Sequence, residues 1–457
     1  MSPILVLFLG AALSFAAWPW LARLVQVTED RSTLTLLSGA LTLHLMLLSL
    51  DLVGIRWHSG LLVAVLLLAV LLASALTRRP EHPPAQWSSP PGWGDVVATG
   101  ALGVFATLTL LQWNLAPDFI FHWGIKGKVF ALTGGIDTAF LARPENAVHL
   151  HPDYPNLLPN LYATTAILGG QFSELAMATW SILWFGATLL AARVALVRLG
   201  APRDLGLATL ALVLLMFGVG YLTAGAADWL LVVALMVALA SLITPPDKRG
   251  DIRLGIAAGV AAAGKIEGVV LAAVLIAVQL LRHIRRDRSL SIASIVRCAA
   301  PTLLVVVPWW WLVVRHDLFA PSNLGPLDPT RTGVVLETLW QAWLTPNWHG
   351  FTCLLLGLPW LLRSKTLRPL ALVCLAQGGF YLLVYLTTPV DPAALVATSA
   401  PRLFFHLLPV TIIGLVAMLG GSGAASDRDR GGGVELGPGR GEQDVHVDLR
   451  VDRVGTE

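Results

Sequence analysis

A carboxylate, Asp118, stands in the stretch Pro117-Asp118-Phe119-Ile120-Phe121-His122-Trp123-Gly124-Ile125-Lys126-Gly127-Lys128, directly after an apolar run. At a membrane surface such a group can take a proton from a hydroxyl that has to approach a lipid-borne substrate, which is general-base chemistry. A solvated loop aspartate after a helix would read the same way, and Lys126 and Lys128 have the matching plain reading of headgroup anchors. Further on, His149-Leu150-His151-Pro152-Asp153-Tyr154-Pro155-Asn156-Leu157-Leu158-Pro159 offers two His and an Asp at a spacing that can ligate a divalent metal in an extended loop. Its three prolines argue instead for a rigid turn that sets the start of a helix.

The other candidates are ionisable residues that interrupt apolar sequence. Asp228 begins an apolar run after Thr223-Ala224-Gly225-Ala226. It is either a functional carboxylate at membrane depth, where burial is costly, or one stabilised by a helix N-terminus. Lys265 and Glu267 lie in Gly264-Lys265-Ile266-Glu267-Gly268, between two apolar runs. Glycines on both sides predict a tight hairpin tip that presents the pair at the surface, as reactive charges or as a structural ion pair. Asp391 and Arg402 bracket the last polar connection, and Arg402 is expected in the first turn of a span. A cation there opposes the helix dipole, so its planar fork either meets an anion such as phosphate or snorkels to headgroups.

The elements that must carry these residues are membrane helices. Of 457 residues, 56% are hydrophobic and 13% charged, with a mean hydropathy of +0.71, which excludes a soluble enzyme and a nucleic-acid binder. Cys298, Cys353 and Cys374 are scattered through apolar runs and make no disulfide framework or zinc site. Stretches long enough to cross a bilayer fall near 3–24, 33–54, 61–77, 95–114, 172–195, 204–222, 226–244, 252–265, 267–283, 298–315, 347–362, 369–388 and 402–420, about thirteen in all. The first lacks a basic leader segment and reads as a retained span.

Basic residues set the orientation. Segments around Arg23/Arg31, Arg78/Arg79, Arg193 to Arg203, Lys248 to Arg253, Arg282 to Arg297 and Arg363 to Arg368 hold 18 of the 26 Lys and Arg before residue 421, and they are alternate connections. The positive-inside rule then puts the N-terminus outside and the C-terminus in the cytoplasm. Asp118, Asp153, Asp228, Lys265, Glu267 and Arg402 all fall on the outer face. Three regions result: N-terminal spans 1–94, a catalytic membrane region 95–420 with outer loops 115–171 and 316–346, and a disordered tail 421–457 too poor in apolar residues to fold alone. The short apolar segment Asn156 to Gly170 is expected to lie along the membrane as an interfacial helix.

In these stretches the chain resembles the bacterial GT-C glycosyltransferases, relatives of protein O-mannosyltransferases and of aminoarabinose transferases. The matching residues are Asp118 through Lys128, His151-Pro152-Asp153-Tyr154-Pro155, Gly225-x-x-Asp228, Lys265-Ile266-Glu267-Gly268 and Ala397-Thr398-Ser399 to Arg402-Leu403. The resemblance implies an all-α polytopic enzyme that moves a sugar from a polyprenyl-phosphate carrier to a hydroxyl of a glycan, lipid or protein acceptor. It places the catalytic carboxylate on Asp118, with Asp153 or Glu267 orienting the acceptor or the sugar. Lys126, Lys128, Lys265 and Arg402 are then candidates for the carrier phosphate, and His151, Tyr154 and Asp228 complete the substrate site. No cofactor is implied, although a divalent metal can share the cations' role. A transporter or flippase of a lipid-linked sugar is the rival expectation, and it would need ionisable groups at mid-membrane or on both sides.

Overall fold

The computed structural model describes residues 3–13, 31–76, 90–111, 116–220, 225–319, 325–344 and 354–430, and among them there is no strand. In chain order the helices are α1 (Pro3–Leu13), α2 (Arg31–Leu52), α3 (Ser59–Leu76), α4 (Trp93–Leu110), α5 (Gly124–Thr133), α6 (Thr138–Leu141), α7 (Pro144–Leu150), α8 (Leu157–Gly169), α9 (Glu174–Leu199) and α10 (Arg203–Gly220). They continue as α11 (Asp228–Leu242), α12 (Lys248–Gly264), α13 (Ile266–Asp287), α14 (Ile292–Arg315), α15 (Thr332–Leu344), α16 (Leu358–Leu361), α17 (Arg368–Thr387), α18 (Pro392–Phe405) and α19 (Leu408–Arg430).

Helix α11 organises the bundle. Every one of its 15 residues is buried, as an all-apolar helix requires. Helices α9, α12, α13, α17, α18 and α19 pack around it. Beneath its first turn Trp229 meets Phe105 of α4, Phe185 of α9 and Phe405 of α18, with ring centroids 5.4 to 5.8 Å apart. This aromatic floor excludes water from the ground on which Asp228 stands.

Among the described residues six helices are long and apolar enough to cross a membrane, or seven if the bent pair α18 and α19 counts as one, so the chain has the helices of a multi-pass membrane protein. That is fewer than the thirteen spans expected. Helix α11 is apolar but has only 15 residues, and residues 347–353 of the stretch expected to span 347–362 lie outside the described residues. Buried helices shielded by their neighbours share the composition of spans without needing their length.

Two other expectations change. Helix α8 occupies the segment expected to lie along the membrane, yet all ten residues from Leu157 to Ala166 are buried. It is packed among α2, α5 and α9 and is a core element. The Asn160 amide lies 3.0 Å from His44 Nδ1 of α2, and Trp180 Nε1 of α9 donates to Thr165 Oγ1. The stretch 316–346 also contains α15, which packs on α18. Helix α19 is bounded at Arg430, and residues 431–457 of the tail lie outside the described residues, as do Cys353 and part of the first expected span. Cys298 and Cys374 are free and buried.

The hairpin expected around Gly264 to Gly268 is present, but its tip does not present the charged pair at the surface: Lys265 is buried and Glu267 largely so. Lys265 ends α12 and begins α13 in an extended conformation (φ −153°, ψ 160°), so one residue reverses the chain. A Cβ at Gly268 would strike the Ala261 carbonyl, so the close approach of the two helices depends on glycine there.

Candidate active site

Asp228 is the hub of an ion cluster at the Lys265 end of the hairpin. It is the first residue of α11, where the helix dipole favours a carboxylate. Gly225 sets its approach: φ is +91°, a left-handed value suited to glycine, and an added Cβ would lie 2.7 Å from Phe119. Ser181 Oγ accepts from Gly225 N at 2.6 Å, and Tyr162 Oη donates to Gly225 O at 3.3 Å.

Asp228 Oδ1 accepts from Lys265 Nζ at 3.1 Å and lies 2.9 Å from His406 Nε2. Oδ2 faces Arg402 Nε at 3.8 Å. Arg402 also reaches Asp118, with Nη1 to Oδ2 at 2.7 Å, and Lys265 lies 3.6 Å from Glu267 Oε1. Each cation is therefore shared by two carboxylates. On the far side of His406, Nδ1 lies 2.8 Å from Tyr381 Oη of α17, which fixes the ring from behind. Asp228 and His406 are fully buried, whereas the side chains of Asp118 and Arg402 are 32% and 28% exposed. Such a buried group of charges persists only because each member has partners.

The exposed side of this cluster opens into a cavity of about 260 Å³ lined by Pro117, Asp118, Phe121, His122, Trp123, His151, Tyr154, Lys265, Glu267 and Arg402. Asp118 stands at the start of a π-helical turn, Phe119–Trp123, that leads into α5. Such turns add a residue per turn and re-aim the side chains beyond them. One wall is aromatic: the His151 and Tyr154 rings are 4.8 Å apart, and His122 lies 5.2 Å from His151. The turn His151-Pro152-Asp153-Tyr154 is closed by Tyr154 N donating to His151 O at 3.0 Å, with proline at the second position, which its ring pre-organises. Trp309 Nε1 of α14 ties the turn down by donating to Asp153 O at 2.9 Å.

Five expected site residues thus line one cavity with Asp118: His151, Tyr154, Lys265, Glu267 and Arg402. Asp228 lies directly beneath them. Three do not reach the wall. Lys126 is fully buried, donates from Nζ to His151 O at 2.9 Å and rests on the Trp123 ring. Burial lowers its ammonium to about 7. Lys128 is exposed outside the cavity. Asp153 stands behind the wall, and its burial raises the carboxyl above the usual range. Burial likewise lowers His151 and raises Tyr154 well above its ordinary value. Arg402 lies in the last turn of α18, not the first turn of a span, so the helix dipole favours it there.

The His149 to Asp153 stretch is a helix end followed by a tight turn, not an extended ligand loop. Among the described residues no three His, Cys, Asp or Glu side chains are grouped to hold a metal. At the cavity itself, Lys265 and Arg402 each stand between two carboxylates.

Sequence reading missed His406, Tyr381 and the aromatic wall from His122 and Trp123. Two signals were available: His406 follows Arg402 by four residues, and Gln377, Tyr381 and Tyr385 recur at intervals of four on an otherwise apolar helix. Gln377 Nε2 donates to Glu267 O at 3.1 Å, and Tyr385 Oη lies 3.1 Å from Ser399 Oγ, so this stripe braces both the hairpin tip and α18.

Comparison of the chain with protein-family models, with curated proteins and with solved structures yields no match.

Proposed function

We propose that the chain is a membrane glycosyltransferase of the GT-C kind, which takes a sugar from a polyprenyl-phosphate carrier and passes it to an acceptor hydroxyl on the outer side of the cytoplasmic membrane. The observation that carries this reading is the meeting of carboxylates and fixed cations, from the π-helical turn, α11, the α12–α13 hairpin and α18, around one cavity at one end of an apolar bundle. That end is the one that the alternation of basic connections assigns to the outside.

The chemistry suits the residues. Attack of a hydroxyl on the anomeric carbon releases a proton, builds positive charge on the sugar and adds negative charge to the departing phosphate. Asp118 takes the proton, and Lys265 and Arg402 hold the phosphate. Glu267, His151 and Tyr154 line the rest of the cavity and contact sugar or acceptor. A single displacement inverts the anomeric centre. The acceptor is a glycan, a lipid or a protein, and membrane lipids surround the remainder of the chain.

A flippase would need a second polar site able to receive the headgroup at the other end. The ionisable cluster there, around Asp251, is closed by internal partners on both carboxylate oxygens, which favours the transferase. The test is a comparison of lipid-linked sugars and envelope glycans in cells with and without the gene, followed by transfer with the purified full chain in liposomes and the lipid-linked donor that accumulates. Accumulation of a donor and its consumption by the wild-type chain support the reading. Movement of the intact lipid-linked sugar between leaflets, without cleavage, would overturn it.

A further inference from the structure

The cations assigned to the phosphate are already engaged. Asp118, Asp228 and Glu267 place three carboxylates around Lys265 and Arg402. An entering phosphodiester would put a fourth anion against two fixed cations, in surroundings where poor screening makes the excess charge costly. One carboxylate has to give way. Asp228 cannot: it is fully buried and held by Lys265 and His406. Glu267 follows the hairpin tip, where Gln377 fixes its backbone carbonyl, and its Oε1 pairs with Lys265 at the longer distance of 3.6 Å. Asp118 is different. Its side chain is about a third exposed, it lies at the start of the π-helical turn, and its described ion pair is the short one to Arg402.

We infer that the Asp118 carboxylate occupies the phosphate's own place on Arg402 in the resting site, and that the donor phosphate displaces it. This rests on the function proposed above and adds an order of events to it. While its Oδ2 is held on Arg402 Nη1 at 2.7 Å, the Asp118 carboxylate faces the guanidinium and not an incoming hydroxyl. When the donor phosphate takes over Arg402, Asp118 is released beside the anomeric carbon and becomes able to accept a proton. The acceptor oxygen then bonds to the anomeric carbon as the bond from that carbon to the phosphate oxygen breaks. The electron pair of the broken bond stays on the phosphate, which departs as a monoester on the lipid, and the hydroxyl proton passes to Asp118. Loss of that proton to water lets Asp118 pair with Arg402 again. Donor therefore binds before acceptor, and without donor the base is masked.

The exchange makes a prediction opposite to that of an ordinary binding-site carboxylate. The full chain in detergent is titrated with undecaprenyl phosphate and, separately, with uncharged undecaprenol, for the wild type, Asp118→Asn, Arg402→Gln and the double variant. The wild type should bind the phosphate more tightly than the alcohol. Asp118→Asn, with its competing charge removed, should bind the phosphate roughly two- to fivefold more tightly, the scale of a partly exposed ion pair. In the Arg402→Gln background the same change should have no effect. Unchanged or weaker phosphate binding by Asp118→Asn, with the wild type still preferring the phosphate, would overturn the exchange while leaving the proposed function standing. Equal affinity of the wild type for phosphate and alcohol would overturn both. Asp118→Ser, which also removes the charge, replaces Asn if the amide variant does not fold.

Discussion

Two fully buried carboxylates, Asp228 and Asp251, belong to opposite ends of the same helical assembly, and their surroundings differ in one respect. Fourteen residues separate Asp251 from Lys265 along α12, about 21 Å of helix. Asp251 Oδ1 accepts from Gln279 Nε2 at 3.0 Å and meets His283 Nε2 at 2.8 Å, while Oδ2 accepts from Arg297 Nη2 at 3.1 Å. Neighbouring arginines complete the closure: Arg282 donates to the carbonyls of Ser241 and Thr244, and Arg286 donates to Pro246 O. These carbonyls end α11 and enter the turn to α12, so the cluster closes a helix terminus. Around Asp228, by contrast, cations are shared and the carboxylates of Asp118 and Glu267 face a cavity. Glu267 Oε2 is buried with no hydrogen bond among the described residues. Burial of charge alone therefore does not mark a reactive site. What sets the Asp228 end apart is unfilled hydrogen-bonding capacity beside a cavity.

The strongest way to break this contrast is to neutralise one acid at each end. Asp118→Asn should lower transfer by about 10² to 10⁴, the range for loss of a general base, while thermal unfolding stays close to wild type. Retained transfer with purified donor would remove Asp118 from the base role. Asp251→Ala should do the reverse. It leaves Arg297 and His283 without their shared anion and should cost about 3 kcal/mol of stability, while transfer per folded molecule is unchanged. Denaturant unfolding alongside an activity count normalised to folded protein measures both, and a selective loss of turnover in Asp251→Ala would make that end catalytic as well.

The same contrast separates the residues that are legible in the sequence from those that are not. Asp228, Lys265 and Glu267 were legible because each is a charge interrupting apolar sequence at a helix end, and the hairpin between Gly264 and Gly268 follows from length. The pairing of Asp118 with Arg402 was legible only as a shared face, since no local pattern links residues so far apart in the chain. Lys126 was misplaced because 115–171 reads as an outer loop, which carries no sign of the π-helical turn and α5 that put the side chain behind the wall. Hydropathy alone hides the break between α18 and α19, because the two helices pass together as one apolar stretch. Pro409, in the first turn of α19, marks the restart of a helix and was the overlooked signal.

A smaller effect should follow from tightening the hairpin that joins the two ends. Gly268→Ala forces a Cβ against the Ala261 carbonyl, which is backbone and cannot rotate away. Overpacking of this kind costs about 1–3 kcal/mol. Because the strain sits one residue from Glu267, transfer should fall together with stability, unlike either single-ended change above. A variant with wild-type unfolding would show that the helices separate without cost.

Lys126 gives the finest test, since it is buried at the cavity end yet stands behind the aromatic wall. Its burial lowers the folded ammonium to about 7 from 10.5. Below pH 7 both folded and unfolded chains carry the proton, and the cost of burying the charge is constant. Between about 7 and 10.5 the unfolded chain keeps the proton while the folded chain releases it, so stability rises with pH at about 1.4 kcal/mol per unit. Lys126→Met should remove that rise, gaining most over wild type at pH 7 and below, although loss of the donor to His151 O offsets part of the gain. Unfolding measured from pH 6 to 9 reads the slope directly. If the rise persists in Lys126→Met, another group carries it. If it disappears while the apparent affinity for donor is kept, Lys126 supports the turn that presents His151 and Tyr154 and does not touch the phosphate.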